Sequence, residues 1–87
     1  DKMTKAIKFY ANWCGPCKVY NKSWGKVAEK LGDSVEFVEV DIENDTTGIA
    51  AEYKIRSIPF TVIVKENETI TRSGVIRETE LEELILN

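Results

Sequence analysis

The sequence contains no histidine and only two cysteines, and this scarcity excludes several classes of enzyme. Without histidine the chain has neither a Ser-His-Asp triad nor a Cys-His nucleophile. Most zinc enzymes are excluded as well, because zinc sites draw their ligands largely from histidine and cysteine. The two cysteines, Cys14 and Cys17, lie three residues apart.

Long apolar runs are also missing. No stretch of about 18 apolar residues occurs, so we predict no transmembrane helix and no contact with a membrane. No charged segment leads into an apolar stretch with a cleavage site, so we expect no secretory signal. With 87 residues, 43% of them apolar, the chain suffices for one core, and we predict a single domain over residues 1–87. Met3 is a candidate for the native first residue, with Asp1-Lys2 left from a tag.

Charge is unevenly placed along the chain. The net charge is −3, with lysines concentrated in residues 1–32 and acidic residues in residues 33–87. The overall acidity argues against nucleic acid as a partner. Four lysines recur at every fourth residue and form a lysine stripe: Lys18, Lys22, Lys26 and Lys30. We interpret this stripe as a solvated helix face, and we consider docking of a partner only for Lys18.

Hydrophobic periodicity predicts seven elements in the order β-α-β-α-β-β-α. The predicted strands cover residues 6–11, 35–40, 60–64 and 69–72, and the predicted helices cover residues 18–31, 48–53 and 80–86. A strand, a helix and a strand in sequence favour a parallel pair, whereas the closing hairpin must be antiparallel. We therefore predict an α/β fold with a four-stranded mixed sheet and flanking helices. Gly32 should end the first helix, and Thr79 with Glu82 is a candidate capping box for the last helix.

The cysteines lie in the segment Trp13-Cys14-Gly15-Pro16-Cys17-Lys18. Two residues three apart on one helical turn are about 5–6 Å from each other, within the range that a disulfide accepts. Cys14 lies at the helix N-terminus, where unpaired N–H groups stabilise a thiolate, so we predict that it is the nucleophile. Cys17, one turn further in, is then the resolving thiol. Lys18 adds positive charge, and Pro16 is tolerated in the first turn and stiffens the loop.

Two other interpretations of the cysteine pair are weaker. A structural disulfide here closes too small a loop to remove much chain entropy. Half of a zinc or iron–sulfur site would need further ligands, and the chain has no other cysteine and no histidine. Redox chemistry remains the leading interpretation, and it needs neither a metal nor another cofactor.

The six-residue segment resembles the active site of the thioredoxin family, and a C-x-x-C near a βαβ pattern is typical of it. Ile58-Pro59 before the third strand and Gly74 extend the resemblance, which covers about residues 5–86. The resemblance implies that Pro59 is cis and faces the dithiol, and that the backbone of Ile58 pairs with an extended substrate segment. It also implies that Gly74 leaves room for substrate. Trp13 is expected to be a partly exposed contact residue.

The sequence also departs from the family. Thioredoxins usually begin with an extra strand and helix, which are missing before the dithiol here, so the fold should be the smaller glutaredoxin-like core. The family places a buried acid six residues before the first cysteine and a lysine in the next strand. Those positions hold Lys8 and, allowing one inserted residue, Glu39. We expect an inverted, buried ion pair beneath the dithiol, with Glu39 as proton acceptor for Cys17. The alternative is that Lys8 reaches solvent at a sheet edge and Glu39 is exposed.

The resemblance implies a thiol–disulfide oxidoreductase that reduces protein disulfides. Gly15-Pro16 between the cysteines resembles the reducing members of the family. Electrons would come from a thioredoxin reductase or from glutathione. We expect a monomer, and a cytoplasmic location, because both cysteines belong to one reactive motif. Two alternatives stay open: a glutaredoxin-like electron donor, for example to ribonucleotide reductase, and a binding module that holds a partner without turnover.

Overall fold

Seven elements follow one another in the computed structural model, which describes residues 4–87. They are β1 (Thr4–Tyr10), α1 (Gly15–Leu31), β2 (Val35–Asp41), α2 (Ile49–Glu52), β3 (Phe60–Val64), β4 (Thr69–Ser73) and α3 (Glu78–Leu86). This order confirms the predicted one. The interpretation of Asp1-Lys2 and Met3 concerns residues outside the described ones. No helix within residues 4–87 is long and apolar enough to cross a membrane.

The sheet is mixed, and its strand order is β2-β1-β3-β4. β1 pairs with β2 in parallel, as predicted for a strand-helix-strand unit, and with β3 in antiparallel. β3 and β4 form the predicted antiparallel hairpin. β1 therefore lies inside the sheet and β2 lies at its edge. This placement decides how much solvent reaches the side chains of each strand.

Helices cover both faces of the sheet. Residues of α1 and α3 pack on one face against Ala6, Val35 and Ile63. Ile49 and Ala50 of α2 belong to the apolar cluster on the other face. Successive side chains of a strand point to opposite faces, so β1 contributes to both clusters. The core is thus two-sided around β1.

The inner face of α1 carries the spacing that the sequence predicted. Tyr20, Trp24 and Val27 are buried on this helix. Trp24 makes edge contacts with the rings of Tyr20 and Phe37, with ring centroids 5.8 and 5.3 Å apart. These contacts fix α1 over the sheet, and with it the dithiol at its N-terminus.

The start of α1 agrees with the placement of Cys14 at a helix N-terminus. The helix begins at Gly15, ahead of the apolar periodicity that starts at residue 18, because Pro16 fits a first turn in which backbone N–H groups have no helical partner. The start predicted for the last helix was wrong. α3 begins at Glu78 after Arg77, and no side chain caps it, so the predicted capping box of Thr79 and Glu82 does not form there. Acidic residues in the first turn of α3 suit the positive end of the helix dipole instead.

Candidate functional site

The two cysteines bracket the first turn of α1. Cys14 is the N-cap residue of the helix, and it forms a disulfide with Cys17 across a Cα–Cα distance of 5.2 Å. The backbone N–H of Cys17 donates to the sulfur of Cys14 at 3.1 Å. A sulfur therefore takes the capping position that serine, threonine or aspartate oxygens usually hold. The same N–H is in place to stabilise the thiolate that forms when the disulfide is reduced.

Both sulfur-bearing residues are nearly buried. Cys14 is 4% exposed and Cys17 is 2% exposed, and Ala11 completes their cluster. Tyr10, Ile42 and Ile58 pack against this cluster. In the oxidised form the exposed fractions of the two cysteines are nearly equal and do not distinguish their roles. Their positions on the helix differ, because only the sulfur of Cys14 accepts a backbone N–H at the helix terminus.

The loop before β3 lies against the dithiol. The Ile58–Pro59 peptide bond is cis, as the resemblance implies, and Pro59 is buried. The N–H of Gly74 donates to the carbonyl oxygen of Pro59 at 2.8 Å, which ties the end of β4 to this loop. Gly74 has a φ of +90°, a conformation that other residues rarely adopt, and a Cβ there would meet no atom of this chain within 4 Å. Backbone conformation thus accounts for the glycine, and its room for substrate stays a prediction.

Trp13 lies on the surface next to the dithiol. Its residue is 65% exposed, and its indole N–H donates to Oε2 of Glu43 at 2.8 Å. Gly15, Pro16 and Lys18 are also exposed. Sequence reasoning did not find Glu43, because the contact spans 30 residues and no local pattern marks it. The hydrogen bond restrains a large ring beside the reactive sulfur.

Lys8 is buried although it is charged: only 1% of the residue is exposed. It lies opposite Glu39 in the parallel pairing of β1 with β2, and its Nζ is 3.0 Å from Oε1 of Glu39. Its Nζ also donates to Oδ1 of Asn21 on α1. The expected inverted ion pair therefore forms. The prediction that both members are buried was wrong for Glu39, whose side chain is 54% exposed. β2 is the edge strand, so the carboxylate of Glu39 reaches solvent while the interior strand holds Lys8 inside.

Aromatic rings surround the buried ammonium. The Nζ of Lys8 lies 5.4 Å from the ring centroid of Trp24, 5.5 Å from that of Tyr10 and 6.0 Å from that of Tyr20. Cation–π attraction of this kind offsets part of the cost of removing a charge from water. The ammonium is thus held by one carboxylate, one amide oxygen and three ring faces.

A polar row crosses the sheet beneath α1. Lys8 lies between Glu39 on β2 and Thr61 on β3. The hydroxyls of Thr61 and Tyr20 share a hydrogen bond of 2.7 Å, and burial raises the pKa of Tyr20 to about 12. The Tyr20 hydroxyl is therefore neutral at ordinary pH. Sequence reasoning missed Asn21, Tyr20 and Thr61 here, although a threonine amid the apolar residues of β3 is a weak signal.

Within residues 4–87, no cluster of three or more histidine, cysteine, aspartate or glutamate side chains is placed to hold a metal ion. The chemistry that the arrangement supports is reversible formation of the Cys14–Cys17 disulfide.

Comparisons with known proteins agree with this geometry. The thioredoxin family model matches residues 1–87. The chain is 40% identical over 80 residues to a thioredoxin of Mycoplasmoides gallisepticum, covering 91% of this chain and 78% of that protein. It is 38% identical over 88 aligned positions to a thioredoxin of Mycoplasma genitalium, covering 99% and 83%. Among solved structures, mitochondrial thioredoxin 3 of Saccharomyces cerevisiae in its oxidised form superposes with a TM-score of 0.81, at 32% identity and with 98% and 78% covered.

Because Lys8 is buried and Glu39 is half-exposed, we predict that mutating one or the other changes the free energy of unfolding by different amounts. Glu39→Ala leaves a buried cation without its carboxylate, and we expect a loss of about 1–2 kcal/mol in the free energy of unfolding, below the ~3–5 kcal/mol of a fully buried pair. Lys8→Met leaves a solvated carboxylate and fills the ring-lined site with an apolar chain, so we expect a loss below about 1 kcal/mol. Urea denaturation measures both values.

The double variant Lys8→Met/Glu39→Ala should be about as stable as Lys8→Met alone. Glu36→Ala is the matched control, because Glu36 is exposed on the same strand. Additive losses, or a larger loss for Lys8→Met than for Glu39→Ala, would contradict the asymmetry.

Proposed function

The chain belongs to the thioredoxin family, and we propose that this thiol–disulfide oxidoreductase acts in the reducing direction on the disulfides of other proteins. One observation carries the proposal. The Cys14–Cys17 disulfide lies at the N-terminus of a helix of 17 residues, with the N–H of Cys17 aimed at the sulfur of Cys14. A dithiol in this position closes with little backbone movement and holds its nucleophile as a thiolate.

The proposed reaction is an exchange of disulfides in two steps. The Cys14 thiolate attacks one sulfur of the substrate disulfide, which forms a mixed disulfide and releases the second substrate sulfur as a thiolate that takes up a proton. Cys17, as its thiolate, then attacks the sulfur of Cys14. The mixed disulfide breaks, the first substrate sulfur leaves, and the Cys14–Cys17 disulfide forms. Two electrons have moved from the protein to the substrate.

We propose that substrate docks along Ile58, Pro59 and Gly74, with Trp13 and Gly15 at its border. Ile58 packs against the dithiol cluster, and Gly74 is hydrogen-bonded to Pro59. An extended peptide that pairs with the backbone of Ile58 would bring its disulfide to Cys14. Pro16 keeps the loop between the cysteines stiff, and Lys18 adds positive charge beside the thiolate.

Lys8 and Glu39 have a proposed part in the second step. Asn21, which accepts a hydrogen bond from Lys8, follows Cys17 by four residues, so the α1 residue that contacts Lys8 lies about one helical turn from the resolving thiol. The side chain of Glu39 is 54% exposed, so its carboxylate contacts solvent. We propose that it receives the proton of Cys17 as that thiol becomes a nucleophile, with Lys8 holding it in place.

The oxidised protein must be reduced again by an outside donor. We propose a thioredoxin reductase or glutathione as that donor. We also propose that the protein acts as a monomer in the cytoplasm. The use of both cysteines in one reactive pair is typical of reducing compartments and supports this location. Reduction of insulin disulfides, with each electron donor supplied in turn, distinguishes the donors.

The order of attack predicts which variant traps substrate. Cys17→Ser should accumulate a stable mixed disulfide through Cys14, because no thiol remains to resolve it. Cys14→Ser should accumulate none, because the remaining thiol lacks the position at the helix terminus. Non-reducing electrophoresis after mixing each variant with oxidised insulin measures the trapped species. Equal trapping by both variants would overturn the assignment of roles.

The proposed proton transfer predicts a selective kinetic defect. Glu39→Gln should slow resolution of the mixed disulfide several-fold while leaving attack by Cys14 within about twofold, since general-base catalysis contributes to only one step. Rapid-quench kinetics with a preformed mixed disulfide separates the two rates. Glu36→Gln on the same strand is the control. An unchanged resolution rate in Glu39→Gln would remove Glu39 from the mechanism.

A further inference from the structure

A groove of about 310 Å³ lies between α1 and the segment that follows β4. Two exposed apolar residues line it, one from each segment: Val19 on α1 is 60% exposed, and Val75 after β4 is 46% exposed. Exposed apolar side chains on both walls of one groove can bind an apolar side chain of a partner protein.

A hydrogen bond joins the two walls of the groove. Ser23 of α1 donates from its hydroxyl to the carbonyl oxygen of Ile76 at 2.7 Å, and both residues line the groove. Ile76 is buried, which anchors the second wall in the core. The two walls therefore keep a fixed spacing, and a partner does not have to order them on binding.

The rim of the groove is cationic. Lys22 and Lys26 line one wall, one helical turn apart, and Arg77 lines the other, with Glu78 as the acidic member. Within residues 4–87, the ion pairs join Lys8 to Glu39 and Lys30 to Glu82, so the three rim cations have no carboxylate partner there. The lysines of the lysine stripe thus have different surroundings. Lys30 links α1 to α3, whereas Lys22 and Lys26 stand over the groove.

The position of the groove connects it to the dithiol. Val19 follows Cys17 by two residues, and Val75 directly follows Gly74, whose N–H is bonded to Pro59. A protein whose disulfide is engaged at Cys14 therefore has a neighbouring segment within reach of the groove.

We propose that this groove binds an acidic segment of the disulfide substrate protein, with an apolar side chain between Val19 and Val75 and flanking carboxylates on Lys22, Lys26 and Arg77. The inference deepens the proposed function and rests on it. Charge complementarity identifies the occupant, because the cations of the rim outnumber Glu78, its acidic residue, and so favour carboxylates locally.

The probes are two synthetic peptides with one disulfide each, identical except that a Leu next to the disulfide is flanked by Glu in one and by Lys in the other. We measure the second-order rate at which the reduced protein reduces each peptide, at low salt. The wild type should reduce the acidic peptide roughly 5- to 20-fold faster, and this preference should shrink as salt screens the charges. Lys22→Glu/Lys26→Glu should abolish or reverse the preference.

Lys5→Glu/Lys65→Glu is the matched control, because it makes the same charge change at the opposite end of the sheet, near the pairing of Lys5 with Val64. It should keep the preference. No preference in the wild type, or an equal loss in the control, would overturn the docking site. Hydroxyethyl disulfide, small and neutral, should be reduced equally by all variants. A wild type that reduces neither this compound nor the peptides would overturn the proposed function itself, and the inference with it.

Discussion

The hydrogen bond from the N–H of Cys17 to the sulfur of Cys14 is the contact on which the site depends. It makes a cysteine the N-cap of α1, so the reactive atom lies where the helix leaves its N–H groups unpaired. The helix is fixed in turn by Tyr20 and Trp24, which pack its inner face on the sheet. The fold as a whole thus holds one sulfur at one helix terminus, with Ile58 packed against the cysteine cluster.

Beneath the same helix, a buried lysine sets a second constraint. A charge inside a sheet is costly unless its environment compensates for lost water. Lys8 is compensated by Glu39, by Asn21 and by three aromatic rings. The pair is open on the side of Glu39, because β2 lies at the edge of the sheet. The carboxylate of Glu39 therefore contacts solvent, whereas the ammonium of Lys8 stays buried.

The sequence predicted the features that depend on local spacing. The seven elements and the helical turn between Cys14 and Cys17 follow from periodicity and a three-residue separation. The pairing of Lys8 with Glu39 was found through the resemblance, but the exposure of Glu39 depends on strand order, which one strand does not encode. The contacts of Glu43 with Trp13 and of Asn21 with Lys8 join distant segments and leave no local pattern. The start of α3 was missed because capping preferences are weak beside tertiary packing.

The most direct test of the account compares the reactivity of Cys14 in the folded protein with its reactivity in a peptide of residues 13–18. Both are reduced and treated with limiting iodoacetamide at neutral pH, and mass spectrometry follows modification of each cysteine. If the helix terminus holds Cys14 as a thiolate, folded Cys14 should react roughly tenfold faster than in the peptide and faster than Cys17. If folded Cys14 reacts no faster than the peptide, or more slowly than Cys17, the helix terminus does not activate it and the central claim fails.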